Sequence, residues 1–465
     1  MNNTEKTREE LLKEKLFYKK ENTFDVAGEG YADKVSAYAE GYKSYLDNAK
    51  TEREAVNKSI EMLTEAGYTE YRLGDKIEKG GAYYFNNRGK SLFAFKLGSE
   101  SVENGIRICA AHIDSPRLDL KQHPLYENEK LAYLKTHYYG GIRKYQWVTI
   151  PLALHGVVTL INGENVEVVI GEKESDPVFC ITDLLPHLAR EQASKPMGSV
   201  FTGEGMNLLI GSQPYGKCDE AVKLNVLNIL NEKYGICESD FMSAELVALP
   251  AGKARDLGLD KSMIHAYGHD DKVCAYPALT SLIECKDSPH TLMCILADKE
   301  EIGSDGVSGM KSTVMVDLMN EISAAMGANP GVVRANSLCL SADVNAGYDP
   351  MFPEVYEKRN SAIVNCGVVM SKYTGAGGKS STSDASAEYV AFIRKIFQDA
   401  GVIWQTAELG KVDAGGGGTV AKYIANHNIT TVDLGVPVLS MHAPYEVIAK
   451  NDLYETHKAF CAFCK

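Results

Sequence analysis

The sequence has no block of basic residues, no uninterrupted apolar run approaching about 18 residues, and no cysteine pairs at zinc-ribbon spacing. The first absence, with a net charge of −13, argues against a nucleic-acid partner and against an anionic membrane face. The second removes membrane-spanning helices from consideration. The first twenty residues, rich in Lys, Glu and Asn, also lack the apolar stretch of a signal peptide, so a cytoplasmic protein is expected. The 11 cysteines are odd in number and scattered, which suits a reducing compartment. Cys461 and Cys464 form a single C-x-x-C without a second pair, and they read as ordinary thiols on a terminal helix.

What is present is apolar material for more than one core. A chain of 465 residues with 45% hydrophobic content exceeds what one core usually supports, so two or more lobes are expected. Helical patterns cover residues 4–20 and 31–66, the second with a break near Asn48. Ala82 to Phe85 and Leu92 to Phe95 flank Asn86-Asn87-Arg88-Gly89 as a hairpin, and Ile106 to Ala111 is a further strand. Residues 128–245 differ in character, with short β-rich runs and a polar helical stretch from Asp183 to Gln192. They read as an inserted β-rich lobe for subunit contact, interrupting a catalytic domain of 1–127 and 246–465. The expected class is therefore α/β: a mixed sheet with helices on both faces, plus the smaller lobe.

The chemistry collects where apolar strands stop. Thr291 to Ala297 reads as a buried strand and runs into Asp298-Lys299-Glu300-Glu301-Ile302-Gly303-Ser304. Two adjacent carboxylates at such an end point in different directions, so one can hold a metal and the other a water. His112 and Asp114 follow the strand from Ile106, and Asp343 follows Ser337 to Ala342. His442 follows Val436 to Leu439, and Asp270 precedes the apolar helix Val273 to Ile283. His112, Asp270, Glu301, Asp343 and His442 thus make a nitrogen and oxygen donor set at one edge of an open sheet, where such folds bind ligands. With Asp270 as a bridge, the set suits two divalent ions, zinc first, with cobalt or manganese as substitutes. The run Asp413-Ala414-Gly415-Gly416-Gly417-Gly418-Thr419 lets backbone amides approach a ligand, but no Lys-Ser/Thr pair completes a nucleotide loop. Gly416 and Gly417 are better suited to a substrate backbone. His187 in Pro186-His187-Leu188-Ala189-Arg190 reads equally well as a structural histidine at a helix start.

Taken in order, His112-x-Asp114-Ser-Pro, Asp270-Asp271, Asp298-x-Glu300-Glu301-x-Gly-Ser, Ser341-Ala342-Asp343 and Ser440-Met441-His442 resemble the aspartyl aminopeptidase family of two-metal peptidases (M18), from about Gly81 to the C-terminus. The resemblance implies Asp270 as the bridge, His112 and Asp343 on one ion, Glu301 and His442 on the other, Glu300 as general base and Asp114 orienting the His112 side. It also implies that His187 acts from a neighbouring subunit, in a homo-oligomer built from dimers that in this family is commonly a twelve-subunit shell. Substrates would be peptides with acidic first residues, met by Lys372 or Lys379. The family's histidine shortly after the Asp343 position is replaced here by Val344-Asn345-Ala346-Gly347, where Asn345 could donate a hydrogen bond instead. A neutral-residue or broad aminopeptidase, a zinc amidase or deacetylase on blocked substrates, and a non-catalytic shell of the same fold stay open.

Overall fold

The computed structural model describes residues 6–465. Three sheets organise them. The largest has nine strands in the order Thr69–Glu70, Ala82–Asn87, Ser91–Lys96, Thr291–Ala297, Ile106–His112, Leu338–Ala342, Thr430–Gly435, Val368–Ser371 and Trp404–Thr406. Its four central strands, from Thr291–Ala297 to Thr430–Gly435, run parallel, so their C-terminal ends reach the same edge. Parallel strands covered on both faces read as continuous apolar runs, and every residue of Thr291–Ala297 is buried. Two apolar clusters lie against the two faces. One joins the helices Tyr31–Asp47, His269–Glu284, Ala387–Asp399 and Lys450–Cys464, and the other joins Val314–Ala325 and Pro330–Asn336.

The second sheet has six strands in the order Asn165–Ile170, Leu152–Thr159, Ala244–Pro250, Arg117–Asn128, Leu131–Tyr139 and Leu208–Gly211. All its pairings are antiparallel, and it packs on its own core around the fully buried Trp147. The expected division at 127/128 and 245/246 cuts through two of these strands, because Arg117–Asn128 and Ala244–Pro250 pair with each other within this sheet. A third sheet has five short strands, Arg255–Leu257, Met263–Ala266, Glu446–Ala449, Pro437–Leu439 and Asn345–Ala346, of which Pro437–Leu439 corresponds to the expected run Val436 to Leu439.

Most expected elements are present. The hairpin at Asn86 forms, with Arg88 and Gly89 both at positive φ in its turn. The helices Tyr31–Asp47 and Glu52–Glu65 break at Asn48, and Thr51 caps the second with a capping box. The first expected helix is shorter, Arg8–Leu16, and residues 4 and 5 lie outside those described. The polar stretch Asp183 to Gln192 is a correction: only Arg190–Ala193 is helical, and His187 sits in a turn rather than at a helix start. Pro186 is the physical reason, since it drives the preceding residue out of the helical region. No helix among the described residues is long and apolar enough to cross a membrane.

The C-terminal helix Lys450–Cys464 closes one face of the large sheet with Phe460 and Phe463, both buried. Phe460→Ala should cost about 3–5 kcal/mol through the cavity it leaves. A lowered urea midpoint with unchanged metal content is the expected result.

Candidate metal centre

The parallel strand ends bring the acids and one histidine together. His112 is the last residue of its strand, Asp343 follows Ala342, and Glu300 and Glu301 begin one short turn after Ala297. That turn is made by Lys299 at φ +66 and by a one-turn 3-10 helix, Glu300–Ile302. The two glutamates therefore diverge because they sit on a tight helical turn, and not because they alternate along a strand. Glu300 groups with His112 and Asp343, whereas Glu301 groups with His112 and Asp270.

The third sheet supplies the rest. Met263–Ala266 leads to Gly268 and Asp270, and the turn between Pro437–Leu439 and Glu446–Ala449 carries His442. The regular part of the helix His269–Glu284 begins only after Asp271, since Asp270 and Asp271 have non-helical dihedrals. Asp270 is thus held less by helix amides than by Glu446, whose Oε2 accepts from the Asp270 amide at 3.0 Å while its Oε1 accepts from the His442 amide at 2.7 Å. One buried carboxylate fixes two chain segments.

Asp270 lies between the histidines. His112 Nε2 is 3.2 Å from its Oδ1, and His442 Nε2 is 3.1 Å from its Oδ2. His112 Nε2 also lies 3.8 Å from Asp343 Oδ1, and His442 Nε2 lies 3.5 Å from Glu301 Oε1. The other ring nitrogens are occupied: His112 Nδ1 donates to the Asp114 carbonyl at 3.0 Å and His442 Nδ1 to the Gly141 carbonyl at 2.8 Å. Each imidazole then turns its Nε2 toward carboxylate oxygens, an arrangement that needs a positive charge in between.

Protons carry that charge when no ion does. Burial and the neighbouring Asp343 push Glu300 up to about 8. Burial and then Asp270 lift Glu301 well above the usual carboxylate range. Burial also raises Asp270, but the two imidazoles outweigh it and hold the group low. Burial lowers His442, yet Asp270 and Glu301 bring it up to about 10. Asp270 Oδ1 and Glu301 Oε1 are buried without a hydrogen-bond partner, as is Oδ1 of Asp271. Orphaned oxygens beside imidazoles with fixed tautomers are the donor set a divalent cation fits, and no cysteine belongs to it.

Asp114 supports the centre from behind and is fully buried. Its Oδ1 accepts from the Glu300 amide at 3.1 Å, and its Oδ2 accepts from the Glu301 amide at 3.2 Å and the Tyr139 hydroxyl at 2.9 Å. Seven expected residues therefore converge: His112, Asp114, Asp270, Glu300, Glu301, Asp343 and His442. The other five do not join them within this chain. His187 is exposed in its turn. Lys372 and Lys379 share Asp384, at 2.5 and 3.1 Å. Gly416, at φ +127, packs so closely on Gly375 that a Cβ would lie 2.1 Å from its carbonyl oxygen, and the Gly417 carbonyl accepts from the Gly375 amide at 2.6 Å. These two glycines brace the loop that carries the lysines. Asn345 Nδ2 donates to Ser371 Oγ at 3.1 Å, which ties the start of that loop to the Asp343 side of the centre.

The sequence reading missed Tyr139, Gly141 and Glu446. The first two belong to the region expected to serve subunit contact alone. Their only local signal is the Tyr138-Tyr139-Gly140-Gly141 end of a strand; Glu446 had one in its place four residues after His442. His269 is buried between the Tyr42 hydroxyl at 2.8 Å and the Ile264 carbonyl at 3.2 Å.

Comparison with known proteins shows the family. The family model described as aminopeptidase I zinc metalloprotease (M18) matches residues 45–464. The probable M18 family aminopeptidase 1 of Clostridium acetobutylicum is 47% identical over 464 residues, covering 98% of this chain and 99% of the relative. The crystal structure of an M18 aminopeptidase from Thermotoga maritima superposes with a TM-score of 0.92 at 42% identity, covering 97% of this chain and all of that one. More distantly, the S. cerevisiae mApe1 dodecamer gives a TM-score of 0.76 at 22% identity over 92% of this chain and 96% of its own.

Replacing Asp114 by Asn sets an amide donor against groups that now donate to it. Metal affinity or turnover should drop about 10- to 100-fold, the usual scale for a partner of a metal ligand. Tyr139→Phe, which removes one of those bonds, should cost less, and metal analysis after dialysis against a weak chelator distinguishes the two.

Proposed function

The chain belongs to the M18 family and is a metalloaminopeptidase, and from that premise we propose that it removes acidic first residues from peptides with two divalent ions and with Glu300 as general base. The observation that carries this reading is Asp270, whose two oxygens each face a different imidazole at 3.2 and 3.1 Å. A single ion would leave one of those contacts unbalanced. His112 and Asp343 would hold one ion, Glu301 and His442 the other, with Asp270 shared.

Zinc bound there would lower the pKa of a water from about 15.7 toward about 7 and polarise a carbonyl. The protein's own part is proton movement and placement. Glu300 sits beside His112 and Asp343 without being fixed by Asp114, which holds only its backbone amide. Its carboxylate can therefore take the proton of the attacking water and pass it to the departing amine nitrogen. The free amine of the substrate is placed on the Glu301 side, where an oxygen lacks a partner, and this limits cleavage to the first residue.

The acidic preference rests on the 372–383 loop. Lys372 and Lys379 share a single carboxylate, so the cluster keeps net positive charge, and the Asn345 to Ser371 hydrogen bond sets the loop's start beside Asp343. His187 is exposed and would reach a neighbouring subunit's centre in a homo-oligomer, for which the dodecameric relative is the pattern. Zinc as the ion follows from the family description and from the mixed donor set.

Glu300→Gln should retain both ions and lose activity by roughly 100- to 10,000-fold. Loss of metal together with activity would instead make Glu300 a ligand. Turnover of a panel of aminoacyl chromogenic amides should be faster for Glu or Asp than for Leu, and the reverse order removes the acidic assignment. A free dipeptide should be cut and its N-acetylated form spared, which separates this reading from an amidase.

A further inference from the structure

The helix that brings Asp270 to the metal centre ends at Glu284, and a second group of ligand-type side chains gathers there. Glu284, His457 and Cys461 place one donor atom each within 4.8 Å of one another. His457 and Cys461 stand four residues apart on the helix Lys450–Cys464, so they share the face turned to the helix His269–Glu284. His457 Nε2 lies 3.0 Å from Glu284 Oε2 and 3.6 Å from Cys461 Sγ.

The other nitrogen of His457 is also held. Its Nδ1 is 3.0 Å from the Thr280 hydroxyl, which also meets the Tyr38 hydroxyl at 2.7 Å and the Tyr276 carbonyl at 3.0 Å. In the tautomer whose Nδ1–H donates to that hydroxyl, Nε2 keeps a lone pair for a metal ion; in the other, Nε2–H donates to Glu284. Cys461 decides between them, because a soft sulfur on the same side completes a metal-binding set and adds nothing to a simple ion pair. Imidazoles anchored through Nδ1–H are the usual form of metal-bound histidine.

The surroundings are mixed in charge, with Lys286, Lys458 and Lys465 lining the same cavity as Glu284 and Asp287. The place is the C-terminal end of a 16-residue helix, where the macrodipole is negative. A cavity of about 550 Å3 opens onto it, and Cys285 lines that cavity with its thiol on the Cys461 carbonyl at 3.7 Å. Glu284 is exposed and His457 buried, so an ion has both a route in and an anchored seat.

We propose that Glu284, His457 and Cys461, with Cys285 beside them as a further sulfur donor, form a separate site for a thiophilic divalent cation that ties the C-terminal helix to the helix of Asp270. The rise from Asp270 to Glu284 puts this site roughly 20 Å from the carboxylate-rich centre. Its nitrogen, sulfur and oxygen donors select zinc or cadmium over magnesium or calcium.

The test is a titration of the zinc-loaded full-length protein with cadmium chloride, followed by the ultraviolet charge-transfer absorption of cadmium bound to thiolate. Cys274 lies buried beside Asp271, so the comparison with Cys461→Ser and Glu284→Gln decides where the sulfur ligation sits. One equivalent per chain should form the band in the wild type, and equally in Cys218→Ser and Cys237→Ser, which remove the exposed thiols. Cys461→Ser should abolish the band or weaken its midpoint by at least about tenfold, as for loss of a metal-site partner. Glu284→Gln, at an exposed position, should weaken it with the circular dichroism unchanged, and so tests the site even if Cys461→Ser folds poorly. Cadmium should raise the melting temperature of the wild type but not of these two variants. A wild type without the band at stoichiometric cadmium, or a band that persists at full strength in both variants, overturns the site.

Discussion

The rest of the structure depends on holding several carboxylates and two imidazoles within a few ångströms of one another, largely out of water. A buried carboxylate with no partner is costly enough to favour its protonated form, and burial pushes the pKa of both Glu300 and Glu301 upward. Such a cluster persists only if the scaffold leaves its members no alternative. Four parallel strands do this from one side, since their C-terminal ends are fixed by the ladder and by apolar contacts on both faces. The third sheet does it from the other side: Asn345–Ala346 follows Asp343, Met263–Ala266 precedes Asp270, and Pro437–Leu439 precedes His442. Both residues of Asn345–Ala346 pair with Pro437 and Val438, so Asp343 and His442 cannot move apart independently.

Backbone amides do much of the remaining work. Glu446 grips those of Asp270 and His442, and Asp114 grips those of Glu300 and Glu301, so the ligand side chains themselves stay free. This is why the centre can be dense without its donors being used up by one another. Asp270 Oδ1 and Glu301 Oε1 remain without a hydrogen-bond partner while the amides of Asp270, His442, Glu300 and Glu301 are bonded.

The same distinction explains what could be read from the sequence. His112, Asp343 and the Glu300-Glu301 pair stand out because each interrupts an apolar run long enough to be recognised as a strand. Asp270 and His442 stand out as polar residues next to such runs. Glu446, Tyr139 and Gly141 do not, because they act on backbone atoms of residues distant in sequence, which leaves no periodic trace. Most of the third sheet is invisible for a related reason: strands of two to four residues, such as Asn345–Ala346 and Met263–Ala266, are too short to show alternation. The expected boundary at 127/128 falls inside the strand Arg117–Asn128, whose pattern fails midway, where Pro124 falls in the register shift between Leu120 and Leu125.

That strand is what couples the two larger sheets. Arg117 donates from Nη1 to Glu52 Oε2 at 3.0 Å and from Nε to Asp119 Oδ1 at 2.9 Å, and its guanidinium lies 4.0 Å from the Tyr139 ring centre. Tyr139 in turn donates to Asp114, which holds the amides of Glu300 and Glu301. A buried charge in such a chain is stable only while its partners stay in place, so the helix beginning at Glu52, the second sheet and the Glu300 turn must keep one arrangement together. The six-stranded sheet is therefore more than an attachment surface. Through Tyr139 and the Gly141 carbonyl it orients a supporting carboxylate on one side of the centre and an imidazole on the other, so any force that shifts it against the large sheet acts on both histidine positions at once.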